Sequence, residues 1–429
     1  MSTPRPFLLL AFAGVMSLSL AISCSSADEN SPVIAETNNG AADVGNDAEQ
    51  TNNDATNSGD NNSTNNTVVE IDPENTSEIA LPATLFNYAI IDTPAHFEVE
   101  SEGFHQQQPT LATDNTPADN VTTDAGATLG RVLFYDKNLS ANRTVACASC
   151  HKAAEGFSDN RVLSEGFNGG STGRHSMGLT NARYYGGGHF FWDQRAETLE
   201  DQVLMPFQDE VEMGMTLETL VARAQGAPYY PELFQAAFGD SNVSSERISK
   251  ALAQFVRSIV STNSRYDQGR AQVSARSADF PNFTEAENLG KMLFSSPPPR
   301  GGFGCFVCHQ GEAMVPAVAT SNGLDAEVTD QGYGAITGLP AHQGTFKVPS
   351  LRNVELTAPY MHDGRLDSLG AVIDHYSEGI QGSANLSGPL PVGGYGMTTE
   401  EKKALVAFLK TLTDTELVND PKFSDPFVE

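Results

Sequence analysis

The chain has 429 residues, with 54 acidic against 25 basic and a formal net charge of −29. That length is enough for about two or three domains with cores of their own. The acidic excess excludes nucleic acid as a partner, because phosphate binding needs a basic face, and it suits a positively charged protein partner.

Arg5 is followed by an apolar run from Phe7 to Ile22 and then by Ser23-Cys24-Ser25-Ser26. A short apolar stretch ending in small residues reads as a signal peptide over residues 1–23. Leu20-Ala21-Ile22-Ser23-Cys24 resembles a bacterial lipoprotein cleavage box, with Cys24 as the lipidated residue. No other apolar run reaches the length of a membrane span, so membrane contact is expected only through that anchor. Residues 25–78 contain no Lys or Arg and are dominated by Asn, Asp, Thr, Ser and Glu. Such a composition cannot bury enough apolar surface to offset its ordering entropy. Residues 24–79 are therefore expected to be a disordered, self-repelling acidic linker.

Order is expected to begin near Leu81. A short amphipathic helix over 126–134 leads to Cys147-Ala148-Ser149-Cys150-His151. Cys-x-x-Cys-His is the attachment signature of c-type haem. Its two thiols lie one helical turn apart and reach the vinyl groups on one porphyrin edge, while the adjacent His becomes the proximal iron ligand. A Gly-rich loop over 166–173 follows. Phe190-Phe191-Trp192-Asp193 then leads into a helix through Leu199, Val203 and Leu204. The strongest helical periodicity runs over 245–262, with Ile248, Leu252, Phe255, Val256 and Ile259 on one face. The polar stretch 263–281 reads as an interdomain linker.

The second half repeats the order of the first. A helix over 284–294 precedes Cys305-Phe306-Val307-Cys308-His309. A redox disulfide or a zinc half-site would not need a His after each cysteine pair, so two covalently attached haems are expected. Export for such attachment points to the bacterial periplasm. Residues 368–376 form a helix with Leu369, Val372, Ile373 and Tyr376 on one side. A final helix starts at Thr398, where Glu401 completes a capping box, and turns Leu405, Phe408, Leu409 and Leu412 inward. Strand signals are weak. The expected fold is all-α: two cytochrome c-like helical domains, 80–265 and 280–429, related by internal duplication and preceded by the tether.

Five runs carry a resemblance to a known family. They are Leu129-Gly130-Arg131-Val132-Leu133-Phe134-Tyr135-Asp136, the first haem motif, Phe191-Trp192-Asp193-Gln194-Arg195-Ala196, Val211-Glu212-Met213-Gly214, and Lys347-Val348-Pro349-Ser350-Leu351-Arg352-Asn353-Val354 with residues 357–364. Together they resemble the bacterial dihaem cytochrome c peroxidase and MauG family from residue 80 to the C-terminus. The resemblance implies that Glu212 shuttles the peroxide proton at the first haem and that the amide of Gln202 orients the peroxide. Classical members close this haem with a His from the Gly-rich loop. Phe167 stands there instead and cannot ligate iron, which implies an open site as in the MauG branch. His175 occupies the place of a calcium-binding Asn, and the remaining calcium contacts resemble the backbone carbonyls of Thr357 and Pro359. At the second haem the resemblance puts Tyr376 where classical members carry a Met ligand and MauG a Tyr, with Met361 and Met397 as other candidate ligands. Trp192, the only Trp in the chain, is implied to pass electrons between the haems.

The leading function implied is reduction of hydrogen peroxide with electrons from an external protein donor, a c-type cytochrome or a cupredoxin. One rival is MauG-like oxidation of aromatic residues on a partner protein. The other is a plain electron-transfer cytochrome, against which Gln202 and Glu212 speak, since a wire needs no proton shuttle.

Overall fold

The computed structural model describes residues 79–99, 108–316 and 318–428. The signal peptide, Cys24 and nearly all of the tether lie outside the described residues. Thirteen α-helices run in chain order among the described residues. They are α1 Asp124–Tyr135, α2 Cys147–Cys150, α3 Leu199–Gln202, α4 Met205–Gln208, α5 Leu217–Gly226, α6 Tyr230–Phe238 and α7 Ser245–Ser258. After them come α8 Arg265–Arg270, α9 Glu285–Ser295, α10 Tyr333–Thr337, α11 Leu369–Asp374, α12 Thr399–Lys410 and α13 Thr415–Asn419. The only sheet among the described residues pairs β1 Ala319–Thr320 antiparallel with β2 Phe346–Lys347. No helix among them is long and apolar enough to cross a membrane.

The first core is built on α1, α6 and α7. The apolar face expected of α7 is buried in full, from Ile248 to Ile259. Helix α1 departs from the amphipathic expectation, because every residue from Gly126 to Tyr135 is buried. The cause is cover from a third side: the C-terminal segment returns over it, with Arg131 Nε donating to the Ser424 carbonyl at 2.6 Å and Leu417 and Phe423 inserted into the core. The second core is built on α9, α11 and α12, with Leu405, Phe408, Leu409 and Leu412 inward as expected. Thr398 caps α12 in a capping box with Glu401.

One contact occurs twice. A β-carbon added to Gly130 of α1 would stand 2.0 Å from the Ala251 carbonyl oxygen and 2.8 Å from Phe255 Cβ of α7. One added to Gly290 of α9 would stand 1.9 Å from the Ala404 oxygen and 2.8 Å from Phe408 Cβ of α12. Beside each crossing a Phe pair tilts at nearly the same geometry: Phe134–Phe255 at 5.2 Å and 57°, Phe294–Phe408 at 5.1 Å and 50°.

The stretch 263–281 is not a free linker. Ser264 caps α8, and Tyr266, Asp267 and Arg270 are buried. Asp267 accepts from both guanidinium arms of Arg352 at 2.5 and 2.9 Å and pairs with His96 at 3.1 Å. The polar residues of this stretch form pairs across the junction of the halves. Phe97, Tyr184, Tyr185 and Val260 meet Ala313 and Val315 beside it.

Candidate active site: two cavities and a shared wall

Each Cys-x-x-Cys-His run opens onto its own cavity. The first is walled by Cys147, Cys150 and His151 with Gln202 and Glu212. The second is walled by Cys305, Cys308 and His309 with Tyr376 and Met361. Trp192 lies in the wall of both, together with His175, Met177 and Lys347.

The residues present fit a haem in each cavity. None of the four cysteines is paired in a disulfide, and each lies at a cavity wall. His151 Nδ1 meets the Phe157 carbonyl at 3.0 Å. The carbonyl can only accept, so the proton sits on Nδ1 and Nε2 is left as the ligating nitrogen. Burial holds His151 below its ordinary value against the pull of that carbonyl, in the neutral form that binds metal. Burial takes His309 down to about 4, with the Pro349 and Met314 carbonyls opposing. Its buried Nδ1 faces them without a fully formed hydrogen bond.

On the open side of the first cavity, Gln202 ends α3 and Glu212 sits in the turn after α4. Asp209 Oδ1 accepts the backbone N–H groups of Val211 and Glu212 at 2.8 and 3.0 Å, which fixes that turn. Burial raises the Glu212 carboxyl, Asp209 raises it further, and Arg195 partly offsets both. Phe167 is not in the cavity wall. Its N–H donates to the Glu212 carbonyl at 3.1 Å, and its ring lies 2.4 Å from where a β-carbon on Gly214 would stand. The residue that replaces a possible ligand therefore braces the Glu212 turn from behind.

In the second cavity the three side chains weighed as ligands separate. Met397 belongs to the apolar core, whereas Tyr376 and Met361 both face the cavity. Tyr376 stands in a π-helical turn, His375–Gly379, that continues α11 and widens it by a residue. Burial raises its hydroxyl, with a hydrogen bond to the Asn322 side chain opposing. Asn322 Nδ2 also reaches the Met361 sulfur at 3.3 Å. Asn322 is a cavity residue that nothing in the sequence pattern marks. His375 Nε2 is 3.1 Å from the Asn322 carbonyl, and His362 stacks on Phe346 at 3.8 Å.

In the shared wall, Trp192 Nε1 donates to the His175 carbonyl at 2.7 Å. The His175 imidazole turns away, with Nδ1 3.1 and 3.2 Å from the Arg161 and Val162 carbonyls and the Thr357 carbonyl also within reach. Pro359 lines the second cavity. The Thr357 carbonyl, one of the two contacts expected of a calcium ion, faces the His175 imidazole instead.

Comparison with known proteins decides the family. The family model for di-haem cytochrome c peroxidase matches residues 124–274. The methylamine utilization protein MauG of Methylorubrum extorquens is 35% identical over 300 residues, covering 69% of this chain and 80% of that protein. The chain belongs to the dihaem cytochrome c peroxidase and MauG family. The cytochrome c551 peroxidase of Nitrosomonas europaea is 31% identical over 313 residues, covering 70% of this chain and 83% of that one. A crystal structure of a MauG-like protein associated with microbial copper homeostasis shares 34% identity at a TM-score of 0.66, covering 79% of this chain and 99% of that one. Family membership makes the chain an oxidoreductase, a haem peroxidase with two haems that acts on peroxide.

Proposed function

We propose that this family member works in the MauG manner, using hydrogen peroxide to oxidise aromatic side chains of a partner protein. The observation that carries the reading is Tyr376, whose side chain shares the second cavity with His309. A phenolate on iron is a hard anionic donor that lowers the potential, whereas a thioether raises it. The alternative is reduction of peroxide with electrons from a c-type cytochrome or a cupredoxin, and Met361 in the same cavity is what favours it. A plain electron-transfer cytochrome leaves Gln202 and Glu212 at the first cavity without a purpose.

A haem held by Cys147, Cys150 and His151 in the first cavity would supply the iron for cleavage of the O–O bond of peroxide. Glu212 would take a proton from one oxygen of the bound peroxide and return it to the other, and the haem would supply the two electrons with which water leaves. Gln202 holds the peroxide by its amide. Trp192 passes electrons between the two sites from the wall common to both.

The finer assignments belong to the same proposal. Cys147 and Cys150, and Cys305 and Cys308, would bind the haem vinyl groups covalently, with His151, and His309 with Tyr376, holding the iron of the first and second haem. The halves 80–265 and 280–429 arose by duplication, which the repeated Gly130 and Gly290 crossings support. The chain is periplasmic and lipid-anchored through Cys24, with 24–79 as tether. One relative is described as associated with microbial copper homeostasis, which makes a copper-handling protein the first partner to try.

The test is a spectral titration of the as-isolated diferric protein with hydrogen peroxide. An immediate change without prior reduction is expected, and Tyr376→Met is expected to raise the second haem's potential. A protein that responds only after one-electron reduction would place it with the classical peroxidases.

A further inference from the structure

Lys347 ends β2 with its side chain turned inward, only 6% exposed. Its backbone N–H donates to the Trp192 carbonyl at 2.8 Å, which pins the residue to the wall between the cavities. Nζ stands 4.1 Å from the Tyr185 ring centroid and 6.0 Å from that of Phe190, and 3.5 Å from the Met177 sulfur. Ring faces and a thioether are weak partners for an ammonium. Among the described residues no carboxylate is paired with it. Arg257, Arg270 and Arg352 are as deeply buried, and each holds a carboxylate: Glu200, Glu312 and Asp267. An unpaired buried charge costs several kcal/mol, and burial alone brings Lys347 down to about 7. The same side chain lines both cavities, and a haem brings two propionate carboxylates into its cavity.

We propose that Lys347 is the counter-ion of a haem propionate at the wall where the two cavities meet. The inference rests on the haem reading given above. The ammonium donates its N–H groups to the carboxylate, fixes the propionate edge of that haem beside Trp192, and leaves no net charge next to the indole. Without the ammonium, the buried propionate has no partner and takes up a proton when the iron is reduced. Reduction then becomes harder and coupled to pH.

The test compares wild type, Lys347→Met and Lys347→Arg as haem-loaded protein. Haem content by pyridine haemochrome comes first, and its absence in wild type would overturn the haem reading and this proposal together. With haem bound, Lys347→Met is expected to lower the midpoint potential of one haem and to make it fall further as pH rises. The propionate bending modes in resonance Raman are expected to shift in the same variant. Lys347→Arg keeps a cation and is expected to retain wild-type behaviour. Unchanged potentials, pH profile and Raman modes in Lys347→Met overturn the proposal. Should that variant fail to take up haem, the wild-type spectrum decides. A propionate held by the ammonium stays ionised, so the wild-type propionate modes are expected not to move with pH, and modes that move as pH falls overturn the pairing.

Discussion

Glu212 is useful for proton transfer because its surroundings bring the carboxyl up from the ordinary glutamate value. Burial and the Asp209 charge raise it, and Arg195 limits the rise. The carboxylate is the form that accepts the peroxide proton, so the peroxide reaction is present above the raised value. It is lost as pH falls through that value, at a midpoint above the ordinary glutamate value of about 4.3. Glu212→Gln keeps the shape and removes the base. It is expected to slow the first spectral change with peroxide by about 10²–10⁴-fold and to abolish its acid limb, as read by stopped-flow over pH. An unchanged rate would leave the proton shuttle elsewhere. The sequence pointed to these cavity residues through local runs: the two haem motifs and, by family resemblance, Val211 to Gly214 and Phe191 to Ala196. Asn322 and the unpaired state of Lys347 were not legible there, since each depends on segments far apart in the chain that meet only in the folded wall.

At the scale of elements, the crossings α1 on α7 and α9 on α12 position both haem motifs, because each motif follows the first helix of its pair. Each crossing depends on a glycine that lets a backbone carbonyl approach closer than any side chain permits. Gly290→Ala puts a methyl group 1.9 Å from the Ala404 oxygen, and backbone cannot swing aside as a side chain does. The expected loss is about 3 kcal/mol, the upper part of the usual overpacking range, measured by denaturant unfolding. A loss under about 1 kcal/mol would mean that the helices slide apart at little cost. Long helices with one apolar face, α7 and α12, were read correctly from periodicity. The helix expected after Trp192 is instead two four-residue helices, α3 and α4, with Pro206 in the first turn of α4. The burial within the stretch 263–281 was not legible, because pattern cannot distinguish a polar residue facing water from one facing a buried partner. Asp267 is such a case: burial pushes its carboxyl up, but Arg352 and His96 outweigh that and hold it well below the carboxylate range.

At the scale of the whole molecule, the two halves are tied by chain that crosses over as well as by the Asp267–Arg352 pair. Residues after α12 follow the second haem motif in sequence, yet Leu417 and Phe423 lie in the first core. Ile79 bridges to Phe427, and the Tyr88 hydroxyl donates to the Lys422 carbonyl. The Phe423 ring meets Tyr88, Phe157 and Phe255 at centroid distances of 6.2, 6.0 and 6.1 Å. Phe157 is the residue whose carbonyl fixes His151, so the tail sits directly behind the proximal side of the first cavity. Truncating Phe423 to Ala removes a ring that is 1% exposed. The expected cost is about 3–5 kcal/mol, the range for emptying a buried aromatic site. Because the lost contacts lie in the first core, the effect has a place as well as a size. Thermal unfolding followed at each haem's own absorption is expected to show the first haem losing its native spectrum at a lower temperature than the second. Equal shifts at both haems would mean that the halves unfold as one cooperative unit, and that the tail stabilises the molecule without favouring either core.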